Sequence, residues 1–120
     1  MVVEEKVVPL KTKTLNDLIR LAAATAGPQG MTYILKFHDE KGRLILGVLG
    51  VFRDYYKYYG VPMLYYYVVD ESIRDSVEES NYIIVSTGEE RIEFSKHPKP
   101  GLSIPLIYLA SKPVFIPALE

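Results

Sequence analysis

The chain has 120 residues, 48% of them hydrophobic, which fits one folded domain spanning residues 1–120 and excludes a disordered chain. Its 14 lysines and arginines nearly balance 15 aspartates and glutamates, which argues against general nucleic-acid binding through basic patches. The absence of cysteine excludes disulfides, thiolate catalysis and cysteine-ligated metals. The opening residues, MVVEEKVVPL, carry acids where a signal peptide starts with bases. The longest apolar run, Leu44 to Phe52, is too short for a membrane span, so we expect a cytoplasmic protein outside the membrane.

The first clear element is a helix that begins near Thr14. Asp17 follows three residues later, an arrangement that resembles a capping box. Apolar residues then recur at helical spacing on one face, namely Leu15, Leu18, Ile19, Ala22 and Ala26. Gly27 and Pro28 predict the end of the helix.

A hairpin follows the helix. Residues 31–38 alternate, with Met31, Tyr33, Leu35 and Phe37 on one side, which predicts a strand with one buried face. Residues 39–42 form a turn in which Gly42 can adopt a positive φ. Residues 43–52 are apolar on both faces, which predicts a central or covered strand. Gly47 and Gly50 within it indicate a bulge, a bend or the close approach of another group.

The second half of the chain predicts four strands and a short helix. Residues 63–69 form a strand, and Asp70 or Ser72 caps the helix after it. Strands over residues 82–86 and 91–95 follow, and a sixth strand over 106–110 is expected at a sheet edge because of Pro105. Together the elements predict an α+β fold: a small, mostly antiparallel, six-stranded barrel-like sheet with two helices. The dense aliphatic residues predict a core of Leu44, Leu46, Val48, Ile83 and Val85.

Seven of the ten tyrosines lie between Tyr55 and Tyr67. Such rings suit packing and a subunit interface, since tyrosine is enriched at interfaces, and they also suit the wall of a small-molecule pocket. Tyr65 and Tyr67 alternate with Tyr66, so we expect one set of rings to lie away from the core. An exposed aromatic patch usually marks an interaction surface, and the sequence therefore predicts a homodimer through the Tyr55–Tyr67 region.

Most of the remaining polar motifs are interpreted as solvated charge. His38-Asp39-Glu40 lies at a hairpin, where neighbouring side chains point to opposite faces, so we interpret it as a solvated turn rather than a metal site. His97 lies in a proline-rich loop and is expected to be exposed. Glu78 and Glu79 are adjacent rather than convergent, which favours solvated charge.

The segment from Asp70 to Asp75 is the best candidate for ligand chemistry. It follows a strand and opens a helix, where Ser72, Arg74 and free backbone N–H groups could bind a phosphate. The alternative is an ordinary helix cap with an exposed arginine. The acids Asp70, Glu71 and Asp75 favour that alternative.

The element order from residue 14 to residue 95 resembles the FMN-binding split barrel of pyridoxamine-phosphate-oxidase-like proteins. The stretch HDEKGRLILGVLGVF is similar to their hairpin, and LYYYVVDESIRDSVEESNYIIVST is similar to their strand, phosphate-binding turn, helix and next strand. The resemblance implies a dimer in which both subunits build the flavin site. It also implies that Ser72 and Arg74 contact the FMN phosphate, and that Tyr65 and Tyr67 lie near the isoalloxazine ring or the interface.

Two functions therefore stand open from the sequence. One is a small FMN-binding or flavoprotein-like homodimer, in which the flavin carries any redox chemistry on an unknown substrate. The alternative is a non-enzymatic homodimeric interaction module. Asp75 stands where a lysine is common in the family, which leaves room for a split-barrel-like protein that binds no flavin.

Overall fold

The computed structural model describes residues 7–25, 32–51, 62–86, 91–113 and 116–120. These residues form an α+β fold with two helices and a seven-stranded sheet. The elements in chain order are β1 (Val8–Lys11), α1 (Leu15–Thr25), β2 (Ile34–His38), β3 (Leu44–Val51), β4 (Pro62–Val68), α2 (Arg74–Glu79), β5 (Tyr82–Val85), β6 (Ile92–Ser95) and β7 (Leu102–Tyr108).

The sheet is mixed and open rather than barrel-like, and four of its six strand pairs are antiparallel, so the prediction of a mostly antiparallel sheet is roughly right. Its strand order is β1-β4-β3-β2-β7-β5-β6, so β1 and β6 lie at its edges. The pairs β2–β3, β3–β4, β5–β6 and β5–β7 are antiparallel, and β2–β3 is the predicted hairpin. The pairs β1–β4 and β2–β7 are parallel. The partners of a parallel pair are distant in sequence, so no turn motif between them predicts the pairing. The strand β1 was not predicted.

The predicted edge position of the last strand is wrong. Residues 102–105 of β7 pair with β5, and residues 106–108 pair with β2. Pro105 lies at the point where β7 changes from one partner to the other. A proline has no N–H to give to a sheet, which suits it to that point as well as to an edge. The strand therefore joins the two parts of the sheet.

Two apolar clusters cover the two faces of the sheet. The first packs α1 and α2 on β2, β3, β4, β5 and β7 and includes Leu18, Leu46, Val77 and Ile83. The second contains Phe37, Ile45 and Leu64 beneath Ile116 and Leu119 of the C-terminal segment. The prediction of one buried face for β2 is therefore wrong, because Ile34 to Phe37 are all buried. Of the five predicted core residues, Leu44, Leu46, Val48 and Ile83 are buried, and Val85 is partly buried.

Local sequence explains α1 better than α2. The Thr14 hydroxyl accepts a hydrogen bond from the Asp17 N–H at 3.1 Å, which confirms the predicted cap. At α2, Ile73 occupies the cap position and makes no side-chain cap bond, so the prediction of Asp70 or Ser72 is wrong. A turn precedes α2, in which the Ile73 N–H donates to the Asp70 carbonyl at 3.1 Å.

The predictions for Gly42 and Gly47 in the hairpin are confirmed, and the one for Gly50 stays a prediction. Gly42 adopts a φ of 77° in the turn, a conformation that glycine adopts without strain. Gly47 is closely approached, because a Cβ atom there would lie 2.9 Å from Cδ1 of Leu64.

Candidate functional site

The described tyrosines of the aromatic segment belong to the interior of the single chain. Tyr66 is 3% exposed within the second cluster. Tyr65 and Tyr67 point to the opposite face and are half-buried against the first cluster. Tyr55, Tyr56, Tyr58 and Tyr59 lie outside the described residues. Among Tyr65 to Tyr67, the expectation that one set of rings lies away from the core is therefore wrong, because both faces of β4 are covered.

Tyr67 borders a cleft at the ends of β1 and β4. The cleft has a volume of about 480 Å³ and its polar lining includes Lys11, Thr12, Lys13, Arg43, Tyr67 and Asp70. We name it the Tyr67 cleft. Its wall thus combines three basic side chains with one phenol ring, which is the kind of lining that an anionic ligand with a planar group can use.

Thr12 fixes the basic side chains at this cleft. Its backbone N–H and its hydroxyl both donate to the Tyr66 carbonyl, at 2.8 and 3.1 Å. The two bonds extend the parallel pairing of β1 with β4 by one residue. Lys11 and Lys13, on either side of Thr12, are thereby held at the cleft while their side chains stay exposed.

The basic side chains of the cleft differ in whether they already form ion pairs or hydrogen bonds within the chain. Lys11 and Lys13 make no ion pair or hydrogen bond through their ammonium groups with any residue in the described part of the chain. Arg43 is engaged, because its Nε donates to Asp39 Oδ2 at 2.8 Å and its guanidinium also donates to the Glu120 carbonyl at 2.7 Å. The two lysines are therefore the cations most open to a ligand.

Tyr67 keeps its proton under ordinary conditions. Burial raises the pKa of the phenol, and the nearby Asp70 carboxylate raises it further. The hydroxyl donates to Asp70 Oδ2 at 3.5 Å, a long hydrogen bond. Tyr67 thus offers the cleft a neutral aromatic ring.

The hairpin turn next to the cleft is more ordered than a solvated turn. The Asp39 side chain is only 3% exposed. It accepts hydrogen bonds from the backbone N–H groups of Lys41 and Arg43, at 3.0 and 2.8 Å, and from the Arg43 guanidinium. Burial alone would raise the pKa of Asp39, but the bonds from Arg43 and Lys41 lower it overall. The interpretation of a solvated turn is therefore wrong for Asp39.

The structure places the predicted phosphate-binding residues apart from the two open lysines. Ser72 is exposed in the turn before α2. Arg74 pairs with Glu71 at 3.3 Å and with Glu78 at 3.4 Å, and it donates to the Gly42 carbonyl at 3.0 Å. Of the predicted flavin residues, Tyr67 lines the Tyr67 cleft, whereas Tyr65 hydrogen bonds to Met63 Sδ at 3.9 Å. Phosphate binding by Ser72 and Arg74 stays a prediction.

Lys11 and Lys13 were missed because β1 was missed. The signal was present, since two lysines at i and i+2 directly follow the apolar run Val7 to Leu10. Nothing local shows that this short run pairs in parallel with a strand more than fifty residues away. His97 is exposed, as predicted.

Three comparisons with known proteins identify no relative of this chain. No family model, curated protein or solved structure matches the chain. In the described part of the chain, neither helix is long and apolar enough to cross a membrane. Among the same residues, no group of three or more histidines and carboxylates is placed to hold a metal ion.

Proposed function

We propose that this chain is a cytoplasmic homodimer that binds a phosphorylated ligand with a planar ring in the Tyr67 cleft, with FMN as the ligand to test first. The observation that carries the proposal is that Lys11 and Lys13, whose ammonium groups have no partner among the described residues, line the same cleft as the half-buried Tyr67 ring. The resemblance to FMN-binding split barrels supports FMN over other phosphorylated planar ligands.

The charge of the cleft favours a phosphate over a carboxylate. The engaged side chains, Arg43 with Asp39 and Glu71 with Arg74, largely neutralise one another. Lys11 and Lys13 remain, against Asp70, which accepts from Tyr67. A phosphate monoester carries close to two negative charges at neutral pH and can accept from both ammonium groups.

In this proposal the chain binds and orients its ligand, and the flavin supplies any redox chemistry when bound. Lys11 and Lys13 hold the phosphate, while the Tyr67 ring packs against the planar group. The lining of the Tyr67 cleft by Lys11, Lys13 and Tyr67 supports these assignments.

The test compares FMN with riboflavin, which lacks the phosphate. Flavin fluorescence is titrated with wild-type protein and with the Lys11→Ala/Lys13→Ala double variant. Losing charge-assisted hydrogen bonds costs about 1.5–3 kcal/mol, so the double variant should bind FMN roughly ten- to a hundredfold more weakly. Riboflavin binding should change much less.

Arg74→Ala is the matched control, because it removes a cation that is already paired with Glu71 and Glu78. A selective loss of FMN affinity in Arg74→Ala, with none in the lysine variant, would move the phosphate to the site implied by the resemblance. Equal losses for FMN and riboflavin, or no flavin binding by the wild-type protein, would contradict the proposal.

A second candidate is the homodimeric interaction module without a cofactor. Tyr33 is 50% exposed and Ile107 is 42% exposed. Ile107 is the register partner of Leu35, and strand alternation places Tyr33 on the same face as Leu35. Exposed aromatic and aliphatic side chains on one face favour an interaction surface.

Light scattering at micromolar concentration separates a dimer from a monomer for either candidate. Tyr66→Glu is a poor test, because Tyr66 is buried within the chain and its replacement would disturb folding. Tyr33→Glu is the sharper variant, since its ring is exposed in the single chain. A dimeric mass that becomes monomeric in Tyr33→Glu, without flavin binding, would favour the interaction module. A monomeric wild-type protein would exclude the homodimer in both.

A further inference from the structure

A second cleft lies on the helix-covered face of the sheet, where the end of α2 meets β2 and β7. It has a volume of about 360 Å³ and is lined by Lys36, His38, Leu44, Glu78, Asn81 and Tyr108. We name it the His38 cleft. None of these residues lines the Tyr67 cleft.

The imidazole of His38 is held by a carboxylate. His38 Nε2 lies 2.9 Å from Glu78 Oε1, and Arg74 Nε lies 3.4 Å from the same oxygen. The hydrogen bond from His38 is the main reason that the pKa of Glu78 lies below its ordinary value. An ionised carboxylate only accepts, so a neutral His38 carries its proton on Nε2. Nδ1 is then the ring nitrogen with a lone pair that can accept a proton.

Lys36 positions Glu78 for this contact. Its side chain is buried, and Nζ donates to the backbone carbonyls of Val77, Glu78 and Ser80 at 3.1, 3.0 and 2.6 Å. These three bonds use all three ammonium protons and fix the last turn of α2 onto β2. Lys36 is therefore a positioning residue that has no donor left for a ligand.

Tyr108 provides an aromatic wall. It is the register partner of Lys36 on β7 and is 55% exposed. Its ring meets the His38 ring edge-on, with the centroids 6.3 Å apart and the planes at 78°. Lys36 Nζ lies 6.0 Å from its centroid, a weak cation–π contact that helps to hold the ring. A planar group can therefore lie against Tyr108 beside the His38 ring.

We propose that the His38 cleft is a general-base site that hydrolyses small aryl esters. His38 Nδ1 takes a proton from water while the water oxygen bonds to the ester carbonyl carbon. The carbon–oxygen bond to the phenol then breaks, and the imidazolium returns its proton to the departing phenolate. One ester and one water thus give one carboxylic acid and one phenol. Glu78 stabilises the imidazolium between the two steps.

The probe is p-nitrophenyl acetate, whose product is coloured. The chain has two histidines, His38 and His97, so His97→Gln is a matched control for nonspecific imidazole chemistry. His97 is exposed and lies in the loop after β6, outside the lining of the His38 cleft. A positioned base contributes at least about a hundredfold, so His38→Gln should lower kcat/KM to near the buffer rate, and His97→Gln should leave it unchanged.

Glu78→Gln distinguishes orientation of the base from ligand binding. Glu78 acts through His38 in this proposal, so the variant should lower kcat by less than the loss of roughly a hundredfold or more expected on removing the base itself, with KM unchanged. A fall in binding with kcat unchanged would contradict the role given to Glu78. Near-UV circular dichroism of each variant checks that the fold is kept.

A second measurement uses the unaltered protein. Diethyl pyrocarbonate modifies accessible histidines, and peptide mapping reports how far each has reacted. Loss of activity should follow modification of His38 and not of His97. Wild-type hydrolysis no faster than buffer, equal losses in the two histidine variants, or activity that follows His97 would each overturn the proposal.

Discussion

Lys36 and the pair Lys11 and Lys13 are the same residue type in opposite circumstances. Lys36 is buried, and its three N–H donors are bound to carbonyls at the end of α2. Lys11 and Lys13 are exposed, and their ammonium groups bond to none of the described residues. The difference teaches that tertiary packing decides what a cation does. Lys36 stabilises the packing of α2 on β2, whereas Lys11 and Lys13 are candidates for binding a ligand.

Burial has an electrostatic consequence for Lys36. Desolvation lowers the pKa of the Lys36 ammonium, and the Glu78 carboxylate offsets part of that lowering. The carbonyls of Val77, Glu78 and Ser80 replace the water that burial removes. A cation near the last carbonyls of a helix is also favoured by the helix dipole.

The largest expected effect tests whether the face of the sheet that carries Lys36 has an apolar core. Leu46 on β3 is fully buried in the first cluster, so Leu46→Ala should lower the free energy of unfolding by about 2–5 kcal/mol. Urea unfolding followed by far-UV circular dichroism measures the change. A loss below about 0.5 kcal/mol would place β3 outside the core, because changes of that size are typical of surface sites.

The comparison between the lysines is tested by making the same substitution at both sites. Lys36→Met keeps a flexible side chain of similar length but leaves three carbonyls without their charged donor. It should destabilise the protein by about 3 kcal/mol, since hydrogen bonds to charged groups contribute roughly 1.5–3 kcal/mol each and burial offsets part of their sum. Lys11→Met should change stability by less than about 0.5 kcal/mol. Equal effects in urea unfolding would remove the distinction between the two regions.

A smaller effect tests how tightly the opposite face of the sheet is packed. In Gly47→Ala the new methyl group would lie 2.9 Å from Cδ1 of Leu64, so Leu64 must shift within the second cluster. We expect a loss of about 1–2 kcal/mol in urea unfolding, as for other overpacked cores. Gly42→Ala is not an equivalent control, because its φ of 77° adds backbone strain. A stabilised Gly47→Ala variant would show that this face has spare room.

The smallest expected effect is the acid dependence of the turn beside the Tyr67 cleft. The pKa of Asp39 is lower in the folded protein than its ordinary value, so its ionised form stabilises the fold. That contribution is full above the unfolded pKa of about 3.9 and is lost as the pH falls through the lower folded value. The wild-type protein should therefore lose more stability than Asp39→Asn as the pH falls below about 5.

Parallel acid titrations of the two proteins, followed by urea unfolding at each pH, check this prediction. The same linkage applies to Glu78, whose pKa is also lowered, chiefly by His38 and then by Arg74. Glu78 is more exposed than Asp39, so its share is smaller. Identical acid curves for the wild-type protein and Asp39→Asn would contradict the role of Asp39.

The sequence predicted those features that depend on near neighbours along the chain. Thr14 and Asp17 predicted the start of α1, and Gly42 predicted the turn of the first hairpin. The apolar run from Leu44 predicted a covered central strand, because only a strand buried on both faces is apolar on both. The antiparallel pairing of β2 with β3 was also predicted, because a short turn leaves a strand little choice of partner.

The tertiary structure alone decided which distant groups meet. It paired β1 with β4 and β2 with β7 in parallel, and it placed Pro105 where β7 changes partners. It also buried Lys36 under α2, brought Glu78 to His38 and left Lys11 and Lys13 open at a cleft. None of these contacts has a local sequence signature, because each joins residues whose separation along the chain is set only by packing the two faces of the sheet.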